Sequence, residues 1–418
     1  WWRQLGDPVL PGLVEAAQAA SPGPASALAR IAEARAARVA AGAAYAPMLD
    51  ANASAVRADA PGQPLATTVQ AGLQAAWEID LFGRGSAALA AAEARQASAQ
   101  AGWHAARVSV AAETALAYVG LRACERQLAV ARQDAASRTE TARLVRLSAE
   151  AGFTATGTAA LARASAAEGA ARATQQQARC TADRQALAAL TGLDDETLRP
   201  RLATPWQQPA SLPVAIQSLP AEVLRQRPDL YQAEQAVVAA SADVGVARAD
   251  QRPRITLAGQ IGTARVLAAG AGLSQGTWSI GPVAVTLPLL DGGRRAAAEA
   301  AAVARYDEAV TLHRAQVRQA VREVEEALVL LASARARQAD ARTAAEGYRA
   351  SFTATEARQR AGLASLIELE DQRRVALAAE TALVELEREQ IAAWVALYRA
   401  AGGGWTRAAT TTAATTTP

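Results

Sequence analysis

Proline is missing from two long stretches of this chain, 65–199 and 289–417, although the sequence holds 17 prolines. Proline inside a helix costs about 3 kcal/mol, so these stretches are where long helices can form. Gly83-Arg84 and Gly293-Arg294 each open an Ala-rich, charged run that ends at Ala151-Gly152 and Ala361-Gly362. At about 1.5 Å per residue, each run predicts a helix on the order of 100 Å long. A second helix follows each break and stops near Gly192 and Gly402, where glycine follows the last apolar turn.

The two tracts are copies. A shift of 210 carries Gly83-Arg84 onto Gly293-Arg294, Glu113 onto Glu323, Ala151-Gly152 onto Ala361-Gly362 and Gly192 onto Gly402. Upstream the shift falls to 206, pairing Pro47 with Pro253; indels of that size belong in loops. The unit is too long for an ordinary solenoid repeat, and the duplication puts Gly152 and Gly362 at the same end. Val303, Val310, Val317, Val324 and Leu331 recur every seven residues, with Tyr306, His313, Ala320 and Ala327 interleaved. That 3.5-residue period predicts left-handed supercoiled packing. Taken alone, the helices also fit a long cytosolic coiled-coil scaffold.

Composition narrows the function. Hydrophobic residues make up 51% of the chain but aromatics only 4%, so the apolar content is mainly Ala, with Leu and Val behind it. All 43 basic residues are Arg, against 40 acidic ones, and a net charge of +3 lacks the concentrated basic stripe of a nucleic-acid surface. Two Cys exclude a disulfide-framed scaffold, and Cys124 and Cys180 fall in separate helices without metal-ligand spacing. The single Met argues against a thioether metal relay. His104 and His313 sit at nearly equivalent places in the two copies and read as helix-packing residues. Glu113 and Glu323 read as interhelical polar contacts. Neither catalysis nor a cofactor is expected.

The segments before the helical tracts alternate instead. Val69, Ala71, Leu73, Ala75, Trp77 and Ile79 interleave with Gln70, Gly72, Gln74, Ala76 and Glu78, which predicts a strand with one apolar and one polar face. Leu49, Ala51, Ala53 and Ala55 alternate with Asp50, Asn52 and Ser54, with the turn at Pro61-Gly62-Gln63-Pro64. The second copy offers Ile255, Leu257, Gly259 and Ile261, then a strand from Trp278 to Leu290, joined by a Gly-rich loop; Pro282 and Pro288 need special placement. Uncharged residues 266–290 are long enough for a transmembrane helix, but their glycines and two prolines favour strands. Gly270-x-Gly272 is no dinucleotide fingerprint, since no capped helix follows it. Four strands cannot close a membrane barrel, and open edges in lipid leave backbone groups unpaired. Several chains must each contribute two hairpins, eight strands from a dimer or twelve from a trimer.

Three stretches carry a family resemblance: Trp77-Glu78-Ile79-Asp80-Leu81-Phe82-Gly83-Arg84, the segment from Leu219-Pro220-Ala221-Glu222 through Arg227-Pro228-Asp229-Leu230, and Gly281-Pro282 through Leu290-Asp291-Gly292-Gly293-Arg294. They resemble the signature stretches of TolC-like outer membrane factors, closest to the OprM-like efflux lipoprotein branch. The resemblance covers nearly the whole chain. It implies a mainly α protein with a β membrane part, a homotrimer whose twelve-stranded barrel in the outer membrane continues as a periplasmic helical barrel. Residues 46–82 and 252–291 would be the barrel hairpins, 83–192 and 292–402 the barrel helices, 1–45 and 193–250 an equatorial belt, and 403–418 a disordered tail. Pro220 would start a short helix that Arg227-Pro228 stops. Trp1-Trp2-Arg3 shows no secretory signal, which fits a cytosolic or a processed chain. The branch begins with a lipid-bearing Cys that this chain lacks, so its N-terminus is expected to be trimmed or atypical.

The resemblance further implies a passive exit duct of a tripartite efflux pump, taking drugs or other small solutes from an inner-membrane transporter through a periplasmic adaptor. A protein-secretion duct is the alternative within the family. The turns at Ala151, Gly152 and Phe153 and at Ala361, Gly362 and Leu363 would form the adaptor-facing tip. Thr156-Gly157-Thr158 stands where the family usually has an Asp. Ile367, Asp371 and Arg374, spaced four and three, share a helix face and resemble the positions that narrow the periplasmic opening in this branch. The bland reading of the same residues is a solvated helix face.

Overall fold

Both proline-free tracts contain a helical hairpin in the computed structural model of the protein, which describes residues 2–60, 63–204, 206, 224–268 and 271–407. In chain order the helices are α1 (Val9–Ala20), α2 (Pro22–Ala43), α3 (Arg84–Glu150), α4 (Thr156–Thr191), α5 (Asp195–Leu202), α6 (Pro228–Ala249), α7 (Arg294–Arg360) and α8 (Leu366–Ala400). The strands are β1 (Met48–Ala60), β2 (Gln63–Ile79), β3 (Arg254–Ala268) and β4 (Ala271–Thr286). The duplication shows in the element lengths: α3 and α7 each have 67 residues, α2 and α6 each 22. No described helix is long and apolar enough to cross a membrane.

The chain forms two compact units. One takes residues Ala27–Trp103 and Asp229–Val317: the four strands with α2, α6 and the first parts of α3 and α7. The sheet is antiparallel throughout, in the order β1-β2-β3-β4. Gly72 stands opposite Gly262, and a Cβ on Gly72 would come within 2.8 Å of the Ile261 carbonyl oxygen, so close strand approach requires glycine there. The last strand departs from the sequence expectation. It begins at Ala271 rather than Trp278 and ends at Thr286, because β3 pairs with the Gly-rich segment all along its length. Pro282 lies where the register shifts, on an edge strand, a place that needs no ladder N–H. Side by side, Arg38 of α2 bonds Glu93 of α3, Arg84 of α3 bonds Asp250 beyond α6, and Arg248 of α6 bonds Glu299 of α7. Asp80 accepts the Ser86 N–H at 2.9 Å just before α3.

The other unit takes Trp1–Ser26, His104–Pro228 and Arg318–Pro418. Its core joins Leu10 and Leu13 of α1 to Leu121 of α3, Leu187 of α4, Leu198 of α5, Val324 of α7 and Trp394 of α8. The seam from α7 is buried at Ala320, Val324, Ala327 and Leu331, as the seven-residue spacing predicts. Asp7 caps α1 and accepts the Tyr118 hydroxyl, to which Arg122 also donates; burial raises the Tyr118 pKa. Arg227, the residue before α6, donates to Glu323 of α7 at 2.8 Å, a contact between a connecting segment and a helix rather than the expected one between helices. Glu113 is exposed on α3. A Cβ on Gly402 would clash with the Gln226 carbonyl oxygen, which fixes glycine at the end of the second copy. Pro228 opens α6 rather than only ending the helix before it, and Pro220 lies outside the described residues, as do the Pro61-Gly62 turn and the Thr-rich end. Cys124 of α3 and Cys180 of α4 form a disulfide with Cα atoms 5.5 Å apart. The sequence reading missed it.

Candidate functional site

The sheet carries two chemically different faces. Gln74 of β2 lies between Asp50 and Gln260, and Glu78 lies opposite Thr256; Gln260 in turn faces Ser279. On the other face Leu73 lies between Ala51 and Ile261, and Ile261 opposite Trp278. These apolar side chains are exposed, most of all on β4, where Trp278 is 75% exposed and Ile280 82%. A large exposed apolar surface on a sheet of this kind marks contact with lipid or protein.

At the far ends of the long helices the two turns repeat one geometry. The Gly152 N–H donates to Ala149 and the Phe153 N–H to Ser148; the Gly362 N–H donates to Gln359 and the Leu363 N–H to Arg358. Gly152 and Gly362 have φ of 81° and 77°, the left-handed region in which these helix stops favour glycine. Phe153 and Leu363 project into solvent, 86% and 71% exposed. Ala151 and Ala361 are exposed as well. Ser365 caps α8 by accepting the Glu368 N–H, whereas Ala155 before α4 provides no side-chain cap. A small core of Val145, Ala162, Leu366 and Leu369, with Phe352 against it, draws on all four helices and places both turns at one end.

Ile367, Asp371 and Arg374 lie just beyond the second turn on one exposed stripe of α8. Ile367 is 64% exposed, and Arg374 donates to Asp371 at 2.7 Å within the same helix. The neighbouring stripe holds what sequence reasoning overlooked. Arg373, 2% exposed, bonds Glu370 and donates to Ser137 and Thr141 of α3. Arg138 of α3 donates to both Asp134 oxygens at 2.9 Å, to Ser165 of α4 and to Glu370 of α8. Burial pulls the Arg373 pKa down against the field of Glu370. Its Nε has no hydrogen-bond partner among the described residues and lies 3.7 Å from Asp134. The signal was in the sequence: Leu366, Leu369, Arg373 and Ala376 follow the spacing three, four, three of an inward stripe. Arg373 also borders a groove of about 450 Å³ between α3, α7 and α8. His104 packs against Trp405, and His313 is half-buried.

A duplicated pair of strand hairpins with an exposed apolar face, each leading into a long helical hairpin, defines an outer-membrane channel that reaches into the periplasm. The chain belongs to the outer membrane efflux protein family, whose pattern matches residues 13–193 and 219–403. It is 33% identical over 350 residues to the outer membrane protein OprJ of Pseudomonas aeruginosa, covering 82% of this chain and 71% of OprJ. It superposes on the outer-membrane channel OprN with a TM-score of 0.84 at 31% identity, over 97% of this chain and 92% of that one. The outer membrane protein VceC of Vibrio cholerae gives 0.84 at 26% identity, over 97% and 99%. The protein is an outer-membrane exit duct for efflux pumps.

Proposed function

We propose that three copies of the chain close one twelve-stranded barrel and export drugs or other small solutes passively, without chemistry of their own. One observation carries this reading. The four strands end in two unpaired edges, β1 and β4, while one sheet face is apolar and exposed; in lipid such edges must be paired by other chains. The polar face with Gln74, Glu78 and Gln260 then lines the duct. The exposed Phe153 and Leu363 turns meet a periplasmic adaptor, which links the duct to an inner-membrane pump. Ile367 narrows the opening there, and the Asp371–Arg374 pairs surround it as rings of three. Detergent-solubilised protein is expected at a mass near three times 43.1 kDa by light scattering corrected for detergent. A stable monomer or dimer would overturn the closed trimer.

A further inference from the structure

The polar side of the sheet leads into a groove of about 690 Å³ bounded by α3, α6 and α7. Six arginines line it together with the small apolar Ala247, Ala298 and Ala302 and the carboxylates of Asp243 and Asp250. Four of the arginines have carboxylate partners. Arg84 donates to Asp250 at 2.8 Å, Arg95 pairs with Asp243, Arg254 donates to Asp250 at 3.2 Å and Arg295 to Asp291 at 3.1 Å. Arg294 and Arg305 are exposed, and their side chains make no hydrogen bond or ion pair among the described residues. They share one face of α7 with Ala298 and Ala302, spaced four, four and three.

The duplication explains the imbalance. α3 aligns with α7 at a shift of 210, so Arg84 and Arg95 fall on Arg294 and Arg305. α2 aligns with α6 at a shift of 206, from Pro22 on Pro228 to Pro47 on Pro253, so Asp243 and Asp250 fall on Ala37 and Ala44. The Arg84–Asp250 bridge would therefore repeat as Arg294 with Ala44, and the Arg95–Asp243 bridge as Arg305 with Ala37. The arginines are present in both copies and the carboxylates in one. No equivalent pairing, within a chain or between copies, can neutralise Arg294 and Arg305. The groove also has a side: Glu78, on the polar face of β2, lies 3.9 Å from Arg84 and 3.7 Å from Arg254.

We propose that this groove is a transient binding site for solutes that carry a phosphate, sulfonate or carboxylate group, with Arg294 and Arg305 as the anion contacts. Guanidinium forks match oxyanions in geometry and charge, and the alanines of the lining accept a small carbon skeleton. A phospholipid headgroup offers the same oxyanion, but the polar side of the sheet places the groove with the solute.

Inorganic pyrophosphate is the probe, applied to wild-type channels in phosphatidylcholine planar bilayers. A concentration-dependent block is expected. It should weaken as KCl rises from about 0.1 to 1 M, since the screening length falls from about 10 to 3 Å. The R294Q/R305Q variant should raise the half-blocking concentration about tenfold, and R294K/R305K should keep most of the block. Both side chains are exposed and unpaired; should the neutral variant still not insert, the salt dependence of the wild type decides. Equal block in bilayers containing phosphatidylglycerol supports a solute site, and block lost there gives the groove to lipid and overturns the proposal. No block, or a block indifferent to salt and to both substitutions, also overturns it. The proposal rests on the duct reading but fails separately: no channels at all refute the duct, whereas open channels blind to pyrophosphate refute only the groove.

Discussion

Arg373 and Arg374 are adjacent in sequence and do opposite work. The first is buried among Glu370, Ser137 and Thr141 and ties α8 to α3; the second pairs in solvent with Asp371. Breaking a buried ion network by removing one partner costs about 3 kcal/mol or more, because a charge is left uncompensated. An exposed pair contributes at most about 1 kcal/mol. Arg373→Ala is therefore expected to lower the thermal midpoint of the solubilised protein clearly, while Asp371→Ala with Arg374→Ala leaves it nearly unchanged and raises single-channel conductance. Equal midpoints for the two variants would refute this division, and unchanged conductance and ion selectivity would return Asp371 and Arg374 to an ordinary solvated face. The sequence reading chose the exposed stripe because Ile367, Asp371 and Arg374 resemble family positions. The buried stripe one residue away needed only the apolar spacing of Leu366 and Leu369. The arginine groove was illegible for another reason: its arginines come from three separated segments that only the folded chain brings together.

At the scale of elements, the long helices could be read from missing proline and the turns from paired glycines, since both are local penalties. Strand β4 could be read only in part. Its Gly-rich half has no apolar alternation, and it is a strand because β3 supplies the ladder. The disulfide was not legible either, since one cysteine pair has no spacing code and only packing brings α3 and α4 together. It distinguishes the two copies. Shifted by 210, Cys124 and Cys180 become Ala334 and Gln390, so only the α3–α4 hairpin is stapled. Closing a loop with 56 residues of separation corresponds to about 4 kcal/mol in the chain-entropy picture. Cys124→Ala with Cys180→Ala, a change the buried Ala334 shows α7 to tolerate, is expected to lower the unfolding midpoint by several degrees. Free thiols in denatured, unreduced wild-type protein would show instead that the bridge does not form.

For the whole molecule, the faces of the sheet set where the chain can reside. Leu73 and Ile261 are cross-strand neighbours on the apolar face; Gln74 and Gln260 are neighbours on the polar one. Arginine on a lipid-facing strand position costs about 2–4 kcal/mol at the bilayer midplane. Leu73→Arg with Ile261→Arg is expected to abolish recovery in the outer-membrane fraction, whereas Gln74→Arg with Gln260→Arg still inserts. Equal recovery of both would mean that the faces are assigned the wrong way round. The bridge between Cys124 and Cys180 adds an itinerary to this address. Cytosolic reductants keep thiols apart, and oxidation awaits the periplasm. Its two sulfurs are therefore a passport stamp: a molecule that carries the bond has crossed the inner membrane, and a reduced one marks a chain caught before departure.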